Sequence, residues 1–216
     1  MSKRVLITAG PTFEPIDPVR FIGNRSSGKQ GIGVAKAFAE AGYDVFLVVG
    51  PINENLLENL PKNIQIFKVN TAQEMCDESL KHINCDVAIH TAAVSDFRPE
   101  KVYETKIKKD SGMTLNDIKF VENVDILATF CSHANRPKIV IGFAAETNNL
   151  IENAKKKLLK KNCDFIIAND VSNGKGFGKD KNKVFIVSKD NVIETEELDK
   201  YLIGKKIVEI VENLKI

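Results

Sequence analysis

Residues 5–31 read VLITAGPTFEPIDPVRFIGNRSSGKQG, and this stretch holds the start of the fold together with its most unusual loop. Val5–Thr8 has the apolar character of a buried strand, and Ser26–Lys29 is typical of a helix start. The connection between them runs to about twenty residues, whereas such connections usually take about two to six. It contains three prolines, which stiffen the backbone. We therefore expect a functional loop beside the first strand, the alternative being an ordinary connection.

Apolar runs alternate with helical stretches along most of the chain. The predicted strands are 4–8, 44–49, 64–69, 86–91, 138–143 and 164–168. The predicted helices are 28–42, 72–83, 123–133 and 148–162. Alternating strands and helices form βαβ units, so we predict an α/β, Rossmann-like fold, with a mainly parallel sheet and helices on both faces. We treat residues 1–216 as a single domain.

Two segments depart from this alternation. Within residues 95–122, polar and apolar residues alternate at Lys106–Lys109 and Thr114–Phe120, the period of half-exposed strands. We predict an extended β flap there. Its strands would have no partner in a parallel sheet, which suggests that a second copy of the chain covers their edge. Residues 183–216 predict a hairpin followed by a terminal helix.

Composition argues against several classes of protein. The net charge is only +2, and the three tyrosines do not interleave with the basic runs, so we expect no nucleic-acid partner. The four cysteines and three histidines lack ligand spacing, which predicts reduced core thiols and no metal site. No apolar run is long enough for a signal peptide or a membrane span. We expect a cytoplasmic protein with no membrane partner.

Two nucleotide motifs are nearly present. Gly23–Lys29 has P-loop spacing, but Gln30 stands where Ser or Thr would ligate magnesium. The glycines at 28, 31 and 33 are spaced G-x-x-G-x-G rather than G-x-G-x-x-G, and the second strand ends without the acid of an NAD site. The second failure argues against a nicotinamide oxidoreductase, and so does the spacing of Tyr103 and Lys106, which lie three apart where short-chain dehydrogenases place Tyr and Lys four apart. Ser26–Lys29 still predicts an anion site at a helix start, the alternative being a capped helix with no ligand.

Further motifs follow in a fixed order. They are Gly10–Arg20, Asn24–Lys29, Ala92–Pro99, Lys106–Lys109, Gly142–Thr147, Ala168–Asp170 and Gly176–Asn182. Through them the chain resembles the phosphopantothenoylcysteine synthetases over nearly its whole length, specifically a free-standing bacterial type that lacks the fused decarboxylase. Two positions depart from the family pattern: Val124 replaces the proline of Asn-Pro-Asp-Ile, and Gly23 stands where serine is common.

The resemblance implies a ligase that condenses 4′-phosphopantothenate with cysteine in coenzyme A biosynthesis. CTP converts the carboxylate to an acyl-cytidylate with release of pyrophosphate, and the cysteine amine then displaces CMP. Mg²⁺ would arrive with CTP, no flavin is expected, and the active unit would be a homodimer. Eukaryotic relatives tend to use ATP, so the choice of base stays open. A non-catalytic nucleotide-binding module is the alternative class.

The resemblance also assigns residues. Asn24 and Lys106 are the implied catalytic pair, Asn24 holding the acyl-cytidylate and Lys106 reaching the triphosphate from the flap. Arg20 and Ala93 are implied to bind substrate. The implied nucleotide-binding residues are Ser27, Gly28, Asp96, Lys106, Asn123, Val124, Asp125, Ile126, Phe143, Lys157 and Lys161.

For several of these residues a plainer alternative remains. Lys157 and Lys161 lie four apart on one helix face, beside its apolar line, whereas Lys156 and Lys160 are expected to face solvent. The plainer interpretation of the first pair is an exposed helix face. Phe143 fits a core position equally well, and Lys106 fits a solvated strand.

Overall fold

The structure is a computed structural model that describes residues 2–108, 114, 117–172 and 179–214. The helices there are α1 Lys29–Glu40, α2 Ala72–Leu80, α3 Ile126–Ser132, α4 Leu150–Lys161 and α5 Lys200–Asn213, with a 3₁₀ helix at Glu54–Leu57. The strands are β1 Arg4–Ala9, β2 Phe13–Pro15, β3 Phe21–Gly23, β4 Asp44–Val49, β5 Ile64–Lys68, β6 Val87–His90, β7 Phe97–Pro99, β8 Phe120–Glu122, β9 Ile139–Glu146, β10 Phe165–Asp170, β11 Lys181–Asn182, β12 Val184–Val187, β13 Val192–Glu194 and β14 Leu198–Asp199.

Eight strands form the central sheet in the order β13-β12-β10-β9-β6-β1-β4-β5. The strands from β10 to β5 are parallel, and β12 and β13 extend the sheet as an antiparallel hairpin. This confirms the α/β, Rossmann-like prediction. The chain builds outward from β1 to β4 and β5, then returns to place β6 on the other side of β1. A reversal of this kind leaves a crevice at the carboxyl ends of the two strands, where such folds bind ligands.

The two faces of the sheet bury different helices. Because side chains alternate along a strand, Val5 and Ile7 of β1 face α1 and α5, whereas Leu6 faces the layer formed by α2, α3 and α4. Phe38 of α1 and Phe130 of α3 are fully buried on opposite faces. Helices therefore cover both faces, as predicted.

Local chemistry sets where the helices begin. The predicted helix at 123–133 starts only at Ile126, because the side chain of Asp125 accepts a hydrogen bond from Ala128 N at 2.9 Å and caps the helix. Val124, where the family pattern has proline, lies one position before this N-cap and therefore outside the helix. At α2, Thr71 and Glu74 form a capping box.

The long loop after β1 is more ordered than its sequence suggests. Residues within it form an antiparallel hairpin, β2 with β3, which the sequence analysis did not predict. The two loop carboxylates are structural: Glu14 accepts from Ala72 N at 2.9 Å, and buried Asp17 accepts from Val19 N and Arg20 N, both at 2.9 Å. Arg20 beside Asp17 holds the pKa of that carboxyl below its usual range. These carboxylates fix the loop rather than act on a ligand.

The predicted flap has a different pairing from the one expected. Its strands are β7 and β8, which pair antiparallel with each other at the two ends of the segment, with Phe97 opposite Glu122. Lys106–Lys108 are not in a strand. Lys109 and residues 115–116, where part of the alternation falls, lie outside the described residues, as does Gly176–Gly178 of the last motif. The hairpin of β12 and β13 and the terminal helix α5 are confirmed.

Candidate active site

A cavity of about 610 Å³ opens at the carboxyl ends of β1, β6 and β9. Its size is typical of a small-molecule site. One side, which we call the α1 wall, consists of Asn24 and residues 26–31 around the start of α1. The opposite side, which we call the α4 wall, consists of residues 122–127, Phe143, Lys157 and Lys161. The segment from His90 to Phe97 lies between the two walls.

The α1 wall is built from backbone. Gly28, at the N-cap of α1, has φ +76°, and no side chain caps the helix. Gly31 packs so closely on β1 that an added Cβ would lie 2.4 Å from Ala9 Cβ and 2.5 Å from Thr91 Oγ1. The positive end of the helix dipole thus borders the cavity, which favours an anion there. Ser27, Gly28 and Lys29 line the cavity at this point.

Two asparagines hold the segment between the walls. Asn24 donates from Nδ2 to Ala93 O at 3.2 Å and to Val94 O at 3.3 Å. Asn123 donates from Nδ2 to Ser95 O at 2.8 Å, and its backbone N donates to Asp96 O at 2.8 Å. Each amide therefore has a positioning role in addition to any contact with a ligand.

The α4 wall is built from charged side chains with defined partners. Lys157 donates from Nζ to Phe143 O at 2.8 Å, and burial lowers the pKa of this lysine. Lys161 forms an ion pair with Asp125. Burial raises the pKa of Asp125, but the hydrogen bonds from Lys161 and Ala128 N lower it more. The pKa of this carboxyl therefore lies below its ordinary value. The wall presents two ammonium groups beside one ionised carboxylate.

The orientation predicted for α4 is confirmed. Lys157 and Lys161 point toward the cavity, and the side chain of Lys161 is only 18% exposed. Lys156 pairs with Glu152 in solvent, and Lys160 is exposed. Phe143 both lines the cavity and packs on the core, so its two interpretations are compatible.

Arg20 and Lys106 are not brought to the cavity. Arg20 binds Asp17 and donates to Ile107 O at 2.8 Å, while Ile107 N donates to Asp17 Oδ2 at 3.1 Å. This network fixes the strand-free segment that carries Lys106, which is itself exposed. The other predicted site residues all line the cavity. Their roles in binding and catalysis stay predictions.

His90 and Lys200 are among the cavity residues that the sequence analysis did not name. His90 ends β6 and packs edge-on against Phe130, with ring centroids 4.6 Å apart. Burial lowers the pKa of His90 to about 4, although Asp125 nearby acts in the opposite direction. Its position at the end of a buried strand was the available signal, because that end of a parallel sheet borders the ligand crevice.

The cysteines are core residues, as expected. All four are unbridged and buried, and burial raises the pKa of the Cys85 thiol to about 11. Within the described ranges, no three His, Cys, Asp or Glu side chains are grouped to hold a metal ion. None of the helices in that part of the chain has the length and apolar character to cross a bilayer.

Comparisons with known proteins identify a family and several relatives of this chain. The family described as DNA/pantothenate metabolism flavoprotein C-terminal domain matches residues 1–214. The coenzyme A biosynthesis bifunctional protein CoaBC of Borreliella burgdorferi is 43% identical over 211 residues, which are 97% of this chain and 52% of that protein. CoaBC of Bacillus subtilis is 45% identical over 192 residues, 87% of this chain and 45% of that protein. The chain thus spans about half the length of these relatives.

A solved structure shows the same fold. The crystal structure of the C-terminal domain of coenzyme A biosynthesis bifunctional protein CoaBC has a TM-score of 0.80 and 39% identity to this chain. The match covers 98% of this chain and 95% of that domain. The similarity is therefore to the C-terminal half of the bifunctional relatives.

Proposed function

This chain belongs to the DNA/pantothenate metabolism flavoprotein C-terminal domain family, and we propose that it is a phosphopantothenate–cysteine ligase acting in coenzyme A biosynthesis. It would use CTP to activate 4′-phosphopantothenate as an acyl-cytidylate and would then transfer the acyl group to cysteine. One observation carries the proposal: every site residue predicted from the sequence except Arg20 and Lys106 lines a single cavity.

The first half-reaction needs positioning and neutralisation of phosphate charge. The pantothenate carboxylate is a weak nucleophile, so its placement against the α-phosphate contributes much of the rate. In this proposal the start of α1 faces the phosphates from one wall. Lys157 and Lys161 approach from the other, and both are held by protein partners before any ligand binds. Such preorganised charge stabilises a developing transition state without reorganisation.

The second half-reaction needs the acyl-cytidylate to stay fixed while the cysteine amine attacks its carbonyl carbon. The amine forms the new C–N bond, and CMP leaves with the bonding electron pair. Asn24 lies on the α1 wall and is oriented by its hydrogen bonds to the carbonyls of Ala93 and Val94. We propose that it holds the intermediate, with the backbone around Ala93 contacting the pantothenoyl part.

Mg²⁺ fits this site as an ion brought in by the nucleotide. It is commonly held by one or two carboxylates together with substrate phosphates. Asp96 and Glu122 line the cavity and would supply such oxygens. Bound there, the ion would neutralise phosphate charge. We expect no flavin requirement for this reaction.

We attribute the choice of CTP over ATP to residues of the α4 wall. Residues Asn123–Ile126 border the cavity between β8 and the start of α3. We propose that their backbone and side-chain polar groups read the base. Rates with CTP and ATP measured on the same preparation test this assignment, and equal turnover would contradict it while leaving the ligase intact.

We also propose a homodimer. The hairpin β2–β3 and the ribbon β7–β8 expose aromatic side chains: Phe21 is 52%, Phe97 53% and Phe120 49% exposed. An apolar surface of this kind suggests an interface. A second copy seated on these ribbons would bring Lys106 and Arg20 near a neighbouring cavity, which agrees with their position outside the cavity of their own chain. Sedimentation velocity at micromolar concentration tests this, and a fully active monomer would contradict it.

Pyrophosphate release tests the ligase itself. Purified protein with Mg²⁺, CTP and cysteine should release pyrophosphate only when 4′-phosphopantothenate is added. Release without phosphopantothenate, or none with all substrates, would contradict the proposal. Omission of cysteine separates the half-reactions, because the acyl-cytidylate should then form without further turnover.

A further inference from the structure

The segment that follows β7 is tied to the turn between β2 and β3, which lies about 90 positions earlier in the chain. Tyr103 N donates to Ile16 O at 2.9 Å, and Ile107 N donates to Asp17 Oδ2 at 3.1 Å. The carbonyl of Ile107 accepts from Arg20 Nη2 at 2.8 Å. The turn therefore binds the N–H and the carbonyl of one residue of the distant segment.

These bonds hold the backbone of Lys106. The N–H of Ile107 belongs to the planar peptide group that joins it to Lys106, so the bond to Asp17 restrains that group directly. The bond at Tyr103 restrains the same segment three positions earlier. Lys106 is exposed, and its side chain is a flexible four-carbon stem. The region that its ammonium group can reach therefore depends on how its backbone is held.

Asp17 is the centre of this network, and it is only 3% exposed. Its Oδ1 accepts from Val19 N and Arg20 N, both at 2.9 Å. Its Oδ2 accepts from Arg20 Nε at 3.0 Å, from Arg20 Nη2 and from Ile107 N. The Arg20 guanidinium lowers the pKa of Asp17, so the carboxylate is ionised at neutral pH and offers only acceptors to these donors.

We propose that Asp17 is a positioning residue for Lys106. By holding the peptide group after Lys106, together with Arg20, it sets where the lysine ammonium group reaches in the first half-reaction. The inference rests on the proposed function, in which Lys106 contacts the triphosphate at a neighbouring cavity. Asp17 itself would touch neither nucleotide nor substrate. A displacement of about 1 Å in such a group can cost about 10²-fold in rate, so loss of the tether should lower kcat.

Two carboxylates of the same loop provide a test variant and its matched control. Asp17→Asn removes the charge with little change in shape, and either orientation of the new amide turns its NH2 group toward N–H donors. Glu14→Gln makes the same chemical change. Glu14 is also buried, at 2% exposed, and accepts from Ala72 N at 2.9 Å, a bond that the glutamine oxygen can still accept.

A mutant cycle in rate separates positioning from a general effect on the fold. Pyrophosphate release at saturating substrates gives kcat for the wild type, Asp17→Asn, Lys106→Met and the double variant. Asp17→Asn should lower kcat by about ten- to a hundred-fold, and Lys106→Met by at least as much. The double variant should be no slower than Lys106→Met, because Asp17 acts through that lysine. Glu14→Gln should match the wild type.

Arg20→Lys tests the same tether if Asp17→Asn does not fold. The Arg20 side chain is 42% exposed, so this position should tolerate the change. Lysine keeps the charge but lacks the planar fork that contacts Asp17 and Ile107 together. Arg20→Lys should therefore also lower kcat, and it should cause no further loss when Lys106 is already methionine.

Losses that multiply in the double variant would overturn the inference, since Asp17 would then act independently of Lys106. A wild-type kcat in folded Asp17→Asn, or in Lys106→Met, would overturn it as well. Wild-type protein that shows no phosphopantothenate-dependent release of pyrophosphate would instead contradict the proposed function itself, so the two failures are distinguishable.

Discussion

The two walls of the cavity use different physical means to prepare for a negatively charged ligand. The α1 wall relies on backbone, with glycines at 28 and 31 that leave no room for a side chain. The α4 wall relies on charged side chains, each held by a protein partner, as Lys161 is by Asp125. The first wall should therefore be sensitive to added volume and altered donors, and the second to altered charge.

A substitution at Asn24 should have the largest effect. Asn24→Asp replaces the donating amide with a carboxylate that faces the Ala93 and Val94 carbonyls and repels a phosphate. Loss of one preorganised donor costs about 10²–10³ in rate. We expect a loss of this size in cysteine-dependent CMP release, and a smaller loss in pyrophosphate release. Single-turnover assays of the two products measure this.

Asn53→Asp provides the matched control for Asn24→Asp. It makes the same chemical change at the cap of the 3₁₀ helix, where aspartate also caps well, and should leave both rates unchanged. Normal turnover by Asn24→Asp would contradict the role given to this residue and, with it, the donor-based description of the α1 wall.

Protonation of the buried His90 at low pH should give the next largest effect, in this case on stability. His90 lines the cavity in the segment between the two walls. The folded pKa of about 4 lies below the unfolded value, so the unfolded state binds more protons between these values. Stability from this group is present above about pH 6.5 and is lost as pH falls toward 4, by up to about 3 kcal/mol.

Urea unfolding at several pH values measures this loss as a difference between proteins. His90→Leu should lose less free energy of unfolding than the wild type between pH 6.5 and pH 4. Substitution of His133 serves as the control. It removes a different imidazole and should leave in place the pH-dependent loss of unfolding free energy that His90 causes. Identical pH profiles for His90→Leu and the wild type would show that burial does not hold His90 neutral.

Added volume on the α1 wall should cost stability directly. In Gly31→Ala the new methyl group meets Ala9 and Thr91 at distances that require the backbone to shift. Overpacking of this kind costs about 1–3 kcal/mol, and we expect the free energy of unfolding to fall by that amount. Lys36→Ala, on a partly exposed position of the same helix, should change it by less than about 0.5 kcal/mol. Equal free energies of unfolding for Gly31→Ala and Lys36→Ala would indicate that the backbone of the α1 wall moves to accommodate the added methyl group.

The Asp125–Lys161 pair should give the smallest effect on stability. A double-mutant cycle with Asp125→Asn and Lys161→Met isolates their interaction. The Asp125 side chain is 45% exposed, so solvent screens the pair, and we expect a coupling of about 0.2–1 kcal/mol. A coupling above about 2 kcal/mol in chemical unfolding would mean that the α4 wall depends on this pair as strongly as the α1 wall depends on its glycines.

Local sequence patterns were sufficient for the sheet and for most of the site. Strands such as β4 are continuous apolar runs because both of their faces are buried, and this pattern is visible without any tertiary information. The same holds for Lys157 and Lys161, since their spacing places them on one face of α4. The motifs near Asn24 and Asp96 likewise follow β1 and β6, whose carboxyl ends must meet at one edge of the sheet.

The sequence by itself therefore determined the α/β fold, the family and the segments that meet at the cavity, because periodicity and motif order are local properties. Only the tertiary structure decided that Asp17 and Glu14 anchor the long loop, that β7 pairs with β8, and that Lys200 enters the cavity from the last helix. These outcomes depend on contacts between residues distant in sequence. Lys200 lies about 170 positions from Gln30, and no local pattern encodes the packing that brings the two together.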